Sequence, residues 1–125
     1  MTAFASRVFW IAALYGFVAI IPQFFLEDKT GRDFPPAITH PEFFYGFLGV
    51  ALAWQFAFVL IARDPIRHRP MMIPAAIEKI AFGIAGVMLY TTGRAGWIPL
   101  AAGAIDLAFS SFFFIAYGKT PKKAG

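Results

Sequence analysis

The chain has 125 residues, 59% of them apolar and 18% aromatic, and only 14% charged. A soluble domain of this size cannot bury that much apolar surface, because small domains have the poorest ratio of interior to surface. The 11 basic residues exceed the 7 acidic ones to give a net charge of +4, but they lie in short connections between apolar runs. Such a distribution makes no patch for nucleic acid, and a chain without cysteine has neither disulfides nor thiolate metal sites.

Four apolar runs, about 8–26, 43–62, 71–92 and 97–117, follow one another. Each is close to the roughly 20 residues that match the hydrocarbon core of a bilayer. A lipid-exposed backbone must satisfy its own hydrogen bonds and is therefore helical. The runs predict an all-α fold: one transmembrane domain over 1–125, an antiparallel four-helix bundle in the membrane. The first run follows Arg7 as a signal peptide would. It is long for that role, and Pro22, Gln23, Phe24 and Phe25 stand where a small-residue cleavage site belongs, so it reads as a retained span. Small residues let helix backbones approach in lipid, which points Ala5, Ala12, Gly16, Ala19 and Gln23 inward.

The connection from Glu27 to Glu42 carries four acids, two bases and Pro35, Pro36 and Pro41, and is the one loop with room for structure of its own. At its end Thr39 is the expected N-cap of the second helix, with Glu42 well placed against the helix dipole. His40 and the neighbouring Tyr45 are candidate ligand contacts, with His40 also a candidate proton shuttle. In the second run Gly46, Gly49, Ala53 and Ala57 form a small-residue stripe expected to pack. Gln55 lies on the far side with Leu48, Leu52 and Val59, so that two faces of this helix are candidates for burial. Gln55 and the deep Trp54 are further candidate ligand contacts.

The basic connection Arg63 to Pro70, with Arg7, Lys119, Lys122 and Lys123, puts seven cations on one side against Lys29, Arg32 and Arg94. That asymmetry predicts both termini in the cytoplasm and a loop able to rest on anionic headgroups. Pro74 and Pro99 fall in the first turns of the third and fourth helices, where a missing N–H costs little. In the third, Ile73, Ile77, Ile80, Ile84 and Val87 make a lipid stripe opposite Ala75, Glu78, Lys79, Phe82, Ala85 and Gly86. A tight hairpin at 91–96 follows. In the fourth, Asp106 shares a side with Pro99, Gly103, Ser110 and Tyr117.

Glu78, Lys79 and Asp106 are the only charged residues within the runs. An ionisable group inside the bilayer costs at least about 2.5–3.5 kcal/mol and is a functional candidate by default. Glu78 and Lys79 sit about 10 Å from the cytoplasmic boundary at 1.5 Å per residue, and Asp106 sits near mid-depth. Together they form a candidate catalytic triad of acid, amine and acid. In the structural alternative Lys79 snorkels to the headgroups, Glu78 pairs with Arg67 or Arg69 or stays neutral and hydrogen-bonded, and Asp106 is interhelical glue. His40 and His68 lie on opposite sides, so no metal or haem pair is expected. No phosphate loop, dinucleotide fingerprint or nucleophile elbow is present either, and no cofactor is expected.

The run His40-Pro-Glu-Phe-Phe-Tyr-Gly-Phe, Ala53-Trp54-Gln55, Asp64-Pro65, Arg67 to Pro70, Glu78-Lys79 and Ile105-Asp106 resembles small four-span bacterial membrane proteins of no assigned activity. The architecture is similar to DoxX-like bundles. A fainter likeness is to the EXPERA group of sterol-handling bundles, through Ile21-Pro22 before Glu27-Asp28, a Pro-containing loop and Gln55. That family has an embedded acid shortly before the Gln, where Leu52 and Ala53 stand here. The first functional expectation is a non-enzymatic accessory or scaffold bundle of the bacterial inner membrane, partnered by the bilayer and by itself or a larger membrane complex. The alternative is an enzyme or carrier for an apolar, lipid-like molecule using Glu78 and Asp106.

Overall fold

The computed structural model describes residues 2–124, and among these there is no strand. Helix α1 runs Ala3–Ile20, α2 Glu27–Asp33, α3 Pro41–Arg63, α4 Met72–Thr91 and α5 Trp97–Lys119. Counting its 3-10 extensions, each of the four long helical segments has 23 residues, or about 35 Å at 1.5 Å per residue, enough to cross a membrane. At most a third of the residues in the apolar window of any span are buried inside the protein. The rest present large apolar side chains outward, Val18 at 76% and Phe43 at 71% exposure among them. Such a surface needs lipid around it, and the chain is a multi-pass membrane protein.

The first span begins five residues before the expected position, at Ala3. It ends as an α-helix at Ile20 and tightens into a 3-10 turn over Ile21–Phe25, because Pro22 has no N–H for the i→i−4 ladder. The loop after it does hold structure: α2, whose Lys29 and Asp33 pair across one turn. The Tyr45 hydroxyl of α3 donates to Glu27 Oε1 at 2.9 Å and ties α2 down. The residue capping α3 is His40, with Pro41 in the first turn and no side-chain cap bond, so Thr39 is not the cap. His40 Nδ1 instead lies 3.0 Å from Glu42 Oε1.

The helices pair unequally. α4 packs along α5, α1 along α3 and, more lightly, α1 along α5, while α3 and α4 scarcely touch although they are consecutive spans. At the end nearest the 64–71 connection the interior is closed. Phe9, Phe58 and Phe113 are wholly buried there, with Phe9 and Phe113 stacked at 4.1 Å between ring centroids and Phe58 edge-on to Phe113 at 5.3 Å. Alanines at 5, 12, 13, 62, 75, 76 and 116 surround the rings and let the helices close on them, the packing that substitutes for a hydrophobic force in lipid. Ser6 Oγ donates to Ala62 O at 2.9 Å. Arg69 Nε donates to Tyr117 O and Thr120 O at 3.1 and 2.7 Å, with its guanidinium 3.8 Å from the Tyr117 ring centroid.

The inward faces of α1 and α5 follow expectation: Ala5, Ala12 and Gly16, and Gly103, Asp106 and Ser110, are buried, although Ala19 is exposed. On α4 Ile77, Ile84 and Val87 are exposed, and of the opposite face only Ala85 turns outward. The reading of α3 is corrected. Gly46, Gly49 and Ala53 are exposed, and no atom of another element lies near a Cβ built at Gly46 or Gly49. The buried side is that of Leu48, Ala51, Gln55 and Phe58, because the rings of Phe58 and its neighbours fill the interior more completely than a glycine stripe can.

Candidate functional site

The site starts from two close helix approaches. On α4, Gly83 and Gly86 face Gly103 and Pro99 of α5: a Cβ at Gly83 would lie 2.9 Å from Gly103 O, and one at Gly86 2.9 Å from Pro99 O. Only glycine permits that backbone contact. One turn along from Gly83 and Gly103, the same register brings Lys79 and Asp106 together, Nζ to Oδ1 at 3.3 Å. Both side chains are buried, Lys79 at 3% residue exposure and Asp106 at 8%. The ammonium is otherwise surrounded by rings, with centroids of Phe58, Phe109 and Tyr15 at 5.4, 5.5 and 6.0 Å, a favourable setting for a cation. Lys79 thus turns into the bundle and does not snorkel.

The second approach joins α1 and α3. Gly16 leaves the space that the Gln55 side chain occupies, since any Cβ there would fall on it. Gln55 is 1% exposed. Its Nε2 donates to Ala51 O at 2.8 Å, while its Oε1 is buried without a hydrogen-bond partner. Glu78 stands beside Lys79 with a buried, unpartnered Oε2. It makes no ion pair among the described residues, so the expected link to Arg67 or Arg69 is absent, and Arg69 is spent on the end of α5. A buried polar atom left unbonded costs about 1–3 kcal/mol, so each requires a reason; Gln55 Oε1 is seated against Gly16.

The residues Gln55 and Glu78 line a cavity of about 600 Å³, within the range of small-molecule sites. Tyr15, Gln55, Glu78, Lys79 and Asp106 form its polar floor. Its walls are apolar, from Ile20 on α1, Phe44 and Phe47 on α3, Phe82 on α4 and Ile98 and Ala102 on α5, and the α2 residues Lys29, Thr30, Asp33 and Phe34 border its mouth. Phe47 and Phe82 stack at 6.0 Å across the gap between α3 and α4.

The structure therefore brings together four of the seven candidate residues, Glu78, Lys79, Asp106 and Gln55. It leaves out the other three. Trp54 packs on Phe58 at the edge of the closed core, and Tyr45 and His40 serve the α2–α3 junction. Phe82 lines the cavity from the face of α4 expected to point inward, whereas Tyr15, Phe47 and the helical form of α2 were not expected from the sequence. An aromatic one helical turn from an embedded acid, as Phe82 is from Glu78, is the signal that was available for the wall. Among the described residues no three His, Asp or Glu side chains gather as a metal would require. Comparison with protein-family models, curated proteins and solved structures finds no match to this chain.

Proposed function

We propose that this protein is an inner-membrane, four-span antiparallel bundle with both termini in the cytoplasm, and that it binds or carries a membrane-soluble molecule with an apolar body and a polar end. The cavity carries this reading: apolar walls from four helices lead to Tyr15, Gln55, Glu78 and the Lys79–Asp106 pair. A bundle that served only as a scaffold has no need of an apolar cleft between its helices that ends on an embedded carboxyl and an ion pair, since close packing would stabilise it more. The weak contact between α3 and α4 supplies a route from the bilayer past the Phe47–Phe82 stack, so the molecule need not leave lipid to enter. Binding and release are the activity, with Glu78, Asp106 and Gln55 recognising the polar end and Lys79 fixing Asp106.

The test uses the full chain in lipid nanodiscs and a dodecyl alcohol carrying a diazirine, photolysed and mapped by mass spectrometry. Adducts are expected on Tyr15, Ile20 and Phe82, which line the cavity and are not exposed, and Ala102→Trp, which narrows the cavity, reduces them while labelling of the outward Leu14 and Val18 continues. Labelling confined to outward residues, or unaffected by Ala102→Trp, refutes the reading and returns the bundle to a scaffold.

A further inference from the structure

We infer that the end of the bundle at the 64–71 connection is a binding surface for the headgroups of acidic phospholipids. This surface lies apart from the cavity and is independent of the binding reading above. Three contacts assemble it. Ser6 Oγ, donating to Ala62 O at 2.9 Å, sets the start of α1 against the end of α3 and so places Arg7 and Arg63 at one end. Arg69 Nε, bonded to Tyr117 O and Thr120 O, holds the 64–71 connection to the end of α5 and to the segment that carries Lys122 and Lys123. Lys119 Nζ lies 4.7 Å from the Phe4 ring centroid, which joins the end of α5 to the start of α1. Arg7, Arg63, Arg67, Lys119, Lys122 and Lys123 are all exposed there, and none is in an ion pair among the described residues. The one acid of this end, Asp64, accepts from the Arg67 backbone N–H at 3.2 Å.

The opposite end has no such excess: Lys29, Arg32 and Arg94 are offset by Glu27, Asp28, Asp33 and Glu42, and Lys29 is paired with Asp33. Arginine stays charged at any working pH, and its guanidinium fits phosphate oxygens two at a time. The order of residues along the spans commits the surface to a lipid and not to a soluble anion. Arg7 is followed one turn deeper by Ile11 at 59% exposure, Arg63 by Leu60 at 53% and Lys119 by Ile115 at 46%. Spacings of three or four residues keep each apolar side chain on the face of its cation. Charge at the rim with apolar surface beneath it, on three helices, matches the order of a phospholipid, headgroup and then acyl chain. Each cation near an acidic surface contributes about fivefold in affinity.

The test holds the full chain in detergent micelles with equal amounts of phosphatidylglycerol and phosphatidylcholine of the same acyl chains, and counts the lipids retained by native mass spectrometry. Phosphatidylglycerol is expected to be retained over phosphatidylcholine by at least about fivefold, the gain from one cation. Raising ammonium acetate from about 0.1 M to about 1 M, which shortens the screening length from about 10 Å to about 3 Å, should reduce that preference. The triple variant Arg7→Gln/Arg63→Gln/Arg67→Gln should cut it by more than half. Lys29→Gln/Arg32→Gln/Arg94→Gln, which removes the same charge from the opposite end, and Ala102→Trp, which narrows the cavity, should leave it unchanged. Equal retention of the two lipids by the unmodified chain overturns the inference, and that comparison stands even if a variant does not fold. So does an equal loss in both triple variants, which would report net charge alone, or a loss in Ala102→Trp, which would put the lipid in the cavity. Displacement of phosphatidylglycerol by inorganic phosphate at matched ionic strength would overturn it in favour of a site for a soluble anion.

Discussion

Removing one member of the Lys79–Asp106 pair should be far more damaging than removing both. With Asp106→Leu the Lys79 ammonium, 3% exposed, is left among three aromatic rings with no anion. With Lys79→Met the Asp106 carboxylate loses its one cation. Breaking a buried pair from one side costs about 3–5 kcal/mol in soluble proteins. The unfolded chain in a membrane also finds partners, so the lower end, about 3 kcal/mol for each variant, is the appropriate value here. The double variant Lys79→Met/Asp106→Leu replaces the pair by apolar side chains of similar length and should come within about 1 kcal/mol of the parent. The coupling energy of the cycle is then about 5 kcal/mol in the compensating direction. Unfolding of the full chain by SDS in bicelles, followed by far-ultraviolet circular dichroism, measures all four corners. Single variants costing less than about 1 kcal/mol, or a double variant as unstable as the two losses combined, would show that water in the cavity solvates these charges and that the pair does not hold the floor together.

Four further outcomes are expected. Gly86→Ala drives a methyl to 2.9 Å from Pro99 O and should cost about 1–3 kcal/mol by overpacking. In the same bicelle assay, Gly46→Ala and Gly49→Ala, which meet open space, should be neutral or stabilising by up to about 1 kcal/mol; a loss there would mean that another molecule packs on that stripe. Arg69→Ala removes two bonds to the last carbonyls of α5 and the stack on Tyr117, so hydrogen exchange of the amides of residues 113–120 should accelerate while α1 and α3 stay protected. Tyr45→Phe releases Glu27 and should speed protease cleavage within α2 with a stability change under about 1 kcal/mol, because the bond is exposed.

Much of the fold was legible because lipid imposes one secondary structure and a fixed length on any span. The boundaries of the last three runs agree with the structure to within two residues, and the small faces of α1 and α5 were read correctly from Ala12, Gly16 and Gly103. What misled was α3. There Gly46, Gly49 and Ala53 mimic a packing stripe, but a stripe of small residues states only that an approach is allowed, and nothing in one helix states which neighbour arrives. The buried side was set by the rings of Phe9, Phe58 and Phe113, which come from three helices. The site divides in the same way. Glu78, Lys79 and Asp106 were conspicuous because charge in an apolar run is costly, and Gln55 because it breaks the same run. Its fit to Gly16 on another helix, and the placement of α2 beside the cavity, are long-range relations that periodicity along one segment does not encode.

The placement of the aromatic core explains how so small a bundle keeps an interior space. The rings and alanines fix all four spans at the end near the 64–71 connection. Toward the other end the helices continue as two pairs: α1 with α3, through Gly16 and the smaller cluster of Ile20, Leu48 and Ala51, and α4 with α5, through Gly83, Gly86 and Gly103. Each pair is closely packed, and the cavity is the space between them. Moving the pairs apart on the α3–α4 side disturbs chiefly the Phe47–Phe82 stack, worth about 0.5–1.5 kcal/mol as an aromatic pair. It leaves untouched the close packing within each pair and the locked aromatic end. A barrier of that size is compatible with frequent opening, whereas separating α4 from α5 would break the Lys79–Asp106 contact as well. On the proposed binding reading, entry from the bilayer runs between α3 and α4, and Phe47→Ala should quicken labelling of Tyr15, which lines the cavity and is not exposed, by the dodecyl alcohol without changing the SDS unfolding midpoint by more than the loss of one ring contact.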